Sequence, residues 1–442
     1  LGPGPIMAGE PTQNAERSVL MQQKVRFTQE LMAGTTTFLT MAYIVFVNPQ
    51  ILSTTGMDRQ ALIVTTCLIS GLATIATGWF SNLPLAMAPG MGLNAFFAYT
   101  LVAAGHVTWQ TALGIVFLSG IFFLLLTLLG FRQKLAEAIP PALLHAVGVG
   151  IGLFITFIGL QNLGLVVDNP ATLVSAGVLT PKVLQGLAGL ILIIVLHHFR
   201  IRGALLLGIL FVSALSVVFG DTRIPEQLTG LPGNPLALVG QLDIAASLRF
   251  GFLGAIFSLM FVDLFDSLGT LLACLGEMGI KDPRVLKQKL NRMLLLDALA
   301  TMGGALLGTS TTTTYVESAA GIEAGGRTGR TAIVCGLLFL IIIPFVPLLA
   351  VVPAHATAPC LIMVGFFMVR SIRHIPFEDL TVGVPAFLIV ILIALTYSIA
   401  TGLAFGFLSF ALLKTLSGKI REIDPVFWII ALLSAGFLLF PA

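Results

Sequence analysis

From Gly329 to Val352 the chain carries one charged side chain, Arg330, over a run longer than the about 20 apolar residues that a helix needs to cross a bilayer. Similar runs recur along all 442 residues, and charged residues make up only 10% of the chain, against about 25% in a soluble domain. With a mean hydropathy of +1.01, an ordinary soluble globular protein is excluded. Strands of an outer-membrane barrel alternate polar and apolar positions, and these runs do not. The pattern predicts an all-α polytopic membrane protein. Cys67, Cys274, Cys335 and Cys360 sit inside apolar stretches with no paired spacing, so they read as small core residues and not as disulfide or metal ligands. Leu1 to Pro5 reads as an expression scar before a natural start at Met7, and the polar tail extends to residue 26.

Apolar runs and their breakers predict fourteen spans, near 31–50, 59–81, 84–103, 107–131, 141–166, 182–199, 203–219, 248–275, 287–307, 309–325, 329–352, 355–370, 381–397 and 399–416. Val426 to Phe440 is apolar but short, and is expected to be a terminal packing or interfacial helix. With the N-terminus inside, nineteen of the 23 Lys and Arg fall on the inner side. Only Arg59, Lys182, Arg223 and Arg249 fall outside, the asymmetry expected of a cytoplasmic N-terminus in a cell inner membrane. Fourteen divides into two sevens, and an odd number of spans per half inserts a duplicated unit upside down, as in many secondary transporters.

Spans three and ten are poor helices in their first halves. Pro84, Pro89, Gly90 and Gly92 interrupt the one, and a hydroxyl-rich, β-branched run from Thr309 to Thr314 favours extended backbone in the other. Non-helical backbone at membrane depth is tolerated only against protein or a polar cavity. Two interrupted spans at matching positions therefore point to a transporter's binding site. Half-helices are expected to begin near Asn94 and Val316 and to aim free N–H groups at the midplane.

Asp263, Asp266 and Glu317 lie well inside spans, where a charge costs at least a few kcal/mol, so each requires a partner or a wet cavity. Asp263 and Asp266, three apart, are expected to share a helix face and to repel unless one is protonated, which suits a proton-coupled carrier. Asp297, near Arg292, is expected at the interface, and none of the six histidines has a metal-ligand spacing. The stretch Gly325 to Thr331 lacks the lysine of a phosphate loop and reads as a tight turn. Beside the broken segments, Phe38, Phe96 and Tyr315 are the aromatic candidates to stack on a planar ligand.

Four motifs make the chain recognisable: Gly34 to Tyr43 (GTTTFLTMAY), Ala88 to Phe97 (APGMGLNAFF), Phe261 to Thr270 (FVDLFDSLGT) and Thr313 to Gly321 (TTYVESAAG). In order and spacing they resemble the adenine–guanine–hypoxanthine permeases, the AzgA-like branch of the nucleobase–cation symporter-2 group that also holds the xanthine and uracil permeases. The resemblance covers nearly all of the chain after residue 27. It implies fourteen helices in two inverted seven-helix repeats and an elevator-type transporter with proton symport. The implied substrate-carrying core is 27–131 (spans 1–4) and 248–352 (spans 8–11). The implied gate domain is 132–220 (spans 5–7) and 353–418 (spans 12–14). An extracytoplasmic loop at 221–247 and a C-terminal segment at 419–442 complete the chain. By the same resemblance Asp266 and Glu317 accept from a purine's ring N–H and amino groups, Asn94 is the polar residue of span three, and Thr314, Tyr315 and Val316 border the base. Thr270 stands where some uracil permeases have a histidine, which leaves proton coupling to Asp266, Glu317 and Asp263. A homodimer through the gate domain is a further implication.

A purine is planar, neutral and rich in donors, and carboxylates suit its N–H edge. An anion carrier of the same architecture, for sulfate or bicarbonate, would instead want a central cation. An intramembrane aspartyl protease would need two carboxylates sharing a water, a geometry that Asp263 and Asp266 on one helix make hard. No cofactor and no nucleic-acid partner is expected. A proton gradient suffices, with Na⁺ an alternative because carboxylates and unwound carbonyls also suit it.

Overall fold

The computed structural model describes residues 27–130, 138–225, 227–232, 234–280 and 282–439. The predicted tail with Arg17, Lys24 and Arg26, and the inner charges Arg132, Lys134 and Lys281, lie outside the described residues.

Helices dominate: α1 (Phe27–Met41), α2 (Ile44–Leu52), α3 (Arg59–Ser81), then strand β1 (Met87–Pro89) and α4 (Met91–Ala104), π-helical from Phe96. There follow α5 (Trp109–Leu128), α6 (Pro141–Leu163), a hairpin of β2 (Val166–Asn169) with β3 (Leu173–Ala176), α7 (Pro181–His198) and α8 (Ala204–Val218). The second half has α9 (Leu253–Glu277), α10 (Pro283–Leu307), β4 (Thr312–Thr314), α11 (Ser318–Glu323), α12 (Gly329–Ile341), α13 (Ala354–Val369), α14 (Leu380–Thr396), α15 (Ile399–Leu416) and α16 (Pro425–Leu439). Among the described residues ten helices are long and apolar enough to cross a membrane. The predicted third, seventh, tenth and thirteenth spans are shorter helical elements.

Helix ends follow local chemistry. Asp58 accepts from Ala61 N at 2.7 Å to cap α3, and Thr108 and Thr180 cap α5 and α7 in the same way. The predicted first span is interrupted between Met41 and Ile44. Just before the break, the Thr40 hydroxyl donates to the carbonyls of Thr36 (3.1 Å) and Thr37 (2.8 Å), competing with the helical ladder.

The helices pack in two groups. In one, α12 lies against α3 and α1, and α10 against α5 and α3; in the other, α6 packs on α13 and α14, with α7 and α8 beside α13. The α3–α12 crossing depends on two glycine pairs seven residues apart on each helix. A Cβ on Gly329 would come within 1.9 Å of the Gly78 carbonyl oxygen, and one on Gly336 within 2.6 Å of that of Gly71. The order of these pairs makes the crossing antiparallel, and backbone-to-backbone approach of this kind is how small residues join membrane helices. Gly329→Ala is therefore expected to destabilise the protein by roughly 1–3 kcal/mol through overpacking. Gly148→Ala, where a Cβ meets nothing within 4 Å, should be neutral. Melting temperatures of the two purified variants check this.

Candidate functional site

Both interrupted segments are extended where the sequence breaks the helix, and they pair with each other. β1 runs antiparallel to β4, with Met87 opposite Thr314, Ala88 opposite Thr313 and Pro89 opposite Thr312. All six residues are buried. The ladder bonds fall on alternate residues (Gly90 N to Thr311 O, Tyr315 N to Ala86 O), so the nitrogen of Pro89 faces away from β4 and its missing N–H costs the pairing nothing. Backbone groups beyond the ladder find partners: Gly90 N donates to Thr311 O (3.0 Å), Tyr315 N to Ala86 O (2.9 Å) and Ala86 N to Ser318 Oγ (3.0 Å). The Thr74 hydroxyl accepts from Met87 N (2.9 Å) and donates to Met87 O (3.1 Å). The half-helices start at Met91 and Ser318, close to the expected Asn94 and Val316.

Glu317 immediately precedes α11, and its Oε1 accepts from the Tyr43 hydroxyl at 2.6 Å. Tyr43 is itself only 1% exposed, at the break in the first span. Asp266, on α9, opens to accessible space, and Val316 beside Glu317 is 54% exposed. Asp266, Glu317, Tyr315 and Tyr43 form one electrostatic neighbourhood, with Glu317 acting on each of the other three. From Asp266 an open face of small residues, Gly269, Ala273 and Gly276, continues along α9 towards Glu277. A Cβ on either glycine would meet nothing within 4 Å.

The other predicted residues are placed variously. Asn94 is fully buried; its Oδ1 accepts from the Ser310 hydroxyl, and its Nδ2 has no hydrogen-bond partner. Thr314 Oγ1 is likewise buried and without a partner. The Tyr315 hydroxyl donates to Pro89 O at 2.5 Å, so that side chain is spent on holding the strands, with its ring 6% exposed. Phe96 is 1% exposed. Phe38 is half-buried and meets the ring of Phe339 edge-on at 5.1 Å. The structure thus brings Asp266, Glu317 and Tyr315 together, and leaves Phe38 and Phe96 engaged in packing.

Asp263 differs from expectation. Three residues turn a helix by 300°, so Asp263 and Asp266 diverge by about 60°. Asp263 faces α10, where its Oδ2 accepts from Thr301 Oγ1 at 3.0 Å, while Asp266 faces the opening. Asp297 is not interfacial: it is fully buried, and its Oδ2 accepts from Ser267 Oγ at 2.5 Å. Ser267 also contacts Thr313 Oγ1 at 2.6 Å, which ties the α9–α10 clamp to β4. Tyr43, Ser267 and Ser310 escaped the sequence reading, which placed Asp297 at the interface. Of these only Tyr43 carried a signal, a polar aromatic inside the first apolar run.

The profile of a permease family, that of the xanthine/uracil permeases, matches residues 28–405. The chain is similar to adenine permease AdeP of Escherichia coli K12, 43% identical over 405 residues that cover 91% of each chain. It is similar to guanine/hypoxanthine permease PbuG of Bacillus subtilis 168, 41% identical over 414 residues, 91% of this chain and 94% of the relative. In fold it is similar to the transmembrane domain of a cyanobacterium bicarbonate transporter, BicA, with a TM-score of 0.64 at 15% identity, covering 87% of this chain and 98% of that one.

Removal of the Tyr43 hydroxyl leaves Glu317 without its buried donor. A hydrogen bond to a charged group contributes about 1.5–3 kcal/mol. Tyr43→Phe is therefore expected to lower the melting temperature by roughly a few degrees and to weaken ligand binding as well, as binding and thermal-shift measurements on one preparation would establish.

Proposed function

Because this chain belongs to the xanthine/uracil permease family, and is a membrane permease and not an enzyme, we propose that it imports purine nucleobases by proton symport. One observation carries the reading most directly: two carboxylates, Asp266 and Glu317, share one electrostatic neighbourhood beside the paired broken segments, one open to a ligand and the other bonded by Tyr43. Asp266 and Glu317 would accept from the base's N–H and amino groups, with Val316 and the Tyr315 ring along its edge. Asn94 Nδ2 and Thr314 Oγ1, buried without partners, favour a polar ligand, since such groups are seldom left unpaired. Paired polar recognition also rejects analogues that lack the matching donor, because the site's own groups are then stranded.

Among the described residues no lysine or arginine forms an ion pair with either acid, which disfavours the anion-carrier reading despite the shared fold. Proton coupling falls to Asp266, Glu317 and Asp263. One charge moving down 100 mV supplies about 2.3 kcal/mol, roughly fiftyfold accumulation per proton. Sodium coupling is the alternative.

Fourteen crossings in two inverted repeats would place β1 and β4 at matching points of the two halves, and their mutual pairing supports that symmetry. The two packing groups support a core of 27–131 and 248–352 moving as an elevator against a gate of 132–220 and 353–418. With the N-terminus cytoplasmic, the open face from Asp266 to Glu277 leads to the cytoplasm, so the site is inward-facing here. A homodimer through the gate domain in the plasma membrane completes the reading.

Asp266→Asn and Glu317→Gln are each expected to abolish purine binding while leaving the protein folded and inserted; wild-type affinity in both would overturn the site. Uptake of radiolabelled hypoxanthine should be inhibited by unlabelled adenine or guanine, resist sulfate, and collapse with a protonophore. Uptake that is absent, or inhibited by sulfate alone, would keep the architecture and overturn the purine as ligand.

A further inference from the structure

The first turns of α9, with α15 and α16, line a half-open cavity of about 300 Å³ whose walls do not include Asp266. Missing side chains make the room: Gly254 on α9, Ala404 on α15 and Gly436 on α16, where a Cβ would meet nothing within 4 Å. Phe257 and Phe407 form the walls. Two hydroxyls stand in the lining: that of Ser434 is spent on its own helix, donating to Ile430 O at 2.8 Å, and that of Ser258 is the one polar group beside the otherwise apolar walls. Leu253 and Leu432 at the rim are 52% and 70% exposed. Both α9 and α15 are long and apolar enough to cross a membrane, and the cavity lies along the first turns of each. An apolar cavity of about 150 Å³ already stays dry and takes up benzene.

We propose that this cavity binds an acyl chain of a membrane phospholipid. Its volume equals a cube about 7 Å on a side, too narrow for a helix, which is about 10–12 Å across. An extended methylene chain fits that width, and a helix of a second copy does not. The occupant sits between α9 and α15. From Phe257 a ladder of rings leads along α9 through Phe261 (5.7 Å) to Phe265 (4.6 Å), next to Asp266, while Phe261 also meets Phe407 of α15 at 5.4 Å. A chain wedged there braces the helix that carries Asp266 against its neighbour.

The test uses the full protein in phosphatidylethanolamine–phosphatidylglycerol liposomes doped with phosphatidylglycerol carrying a diazirine on its acyl chain. After irradiation, cross-linked residues are mapped by mass spectrometry. Labelling should concentrate on the first turns of α9 and the second half of α16. Ala404→Phe, which fills the space, should lower it there roughly tenfold, equivalent to about 1.4 kcal/mol, without changing labelling on the exposed leucines of α8, Leu207 and Leu210. Should that variant fail to insert, Gly436→Leu fills the same space from the opposite wall. Equal labelling of cavity and α8, unaffected by filling, would overturn the proposal, as would cross-links joining two copies at the rim. No substrate enters the experiment, so its failure leaves the purine reading untouched.

Discussion

Backbone amides inside a bilayer must find partners within the protein, and the pairing of Met87–Pro89 with Thr312–Thr314 is how this chain meets that demand away from a helix. Everything around the ligand region hangs from it. The strands release two half-helix starts, and Tyr315 locks one strand's neighbour onto Pro89. The clamp of Ser267 on Thr313 and Asp297 fixes α9 relative to β4. Asp266 is thus positioned by a short sheet and not by helix packing alone.

The polar residues here divide by neighbour, not by type. Asp263 and Asp297 face the α9–α10 interface and are met by Thr301 and Ser267, each donor lying on the opposite helix from its acid. Glu317 is met by Tyr43 across 274 residues of sequence. Asp266, a turn away from Asp263, opens outward. Buried acids with fixed donors stiffen the frame, whereas an acid left open beside them keeps its acceptor capacity for whatever arrives.

Where the backbone leaves the helix was legible, because Pro84, Pro89 and the run of threonines are local signals that act whatever surrounds them. The membrane class was legible for the same reason. The register of β1 against β4, the Tyr43–Glu317 bond and the burial of Asp297 were not, because each depends on a partner remote in sequence. Asp263 and Asp266 show the limit most sharply: 60° of rotation separates a clamped acid from an open one, and three-residue spacing reads as one face. The interruption of α1 before Tyr43 was missed because threonine hydroxyls, unlike proline, break a helix only when they turn back on it.

The partner of Met87 is Thr314, about 220 residues later, so at 5–20 residues per second the ribosome needs roughly ten to forty seconds to deliver it. Throughout that interval the first strand is in or near the membrane with its ladder unmade. Thr74 lies only thirteen residues before Met87 and bonds both its N–H and its C=O. One hydroxyl therefore satisfies Met87 from within the first half, and the groups left to the second half include the Ala86 carbonyl and the Gly90 N–H, which Tyr315 N and Thr311 O meet.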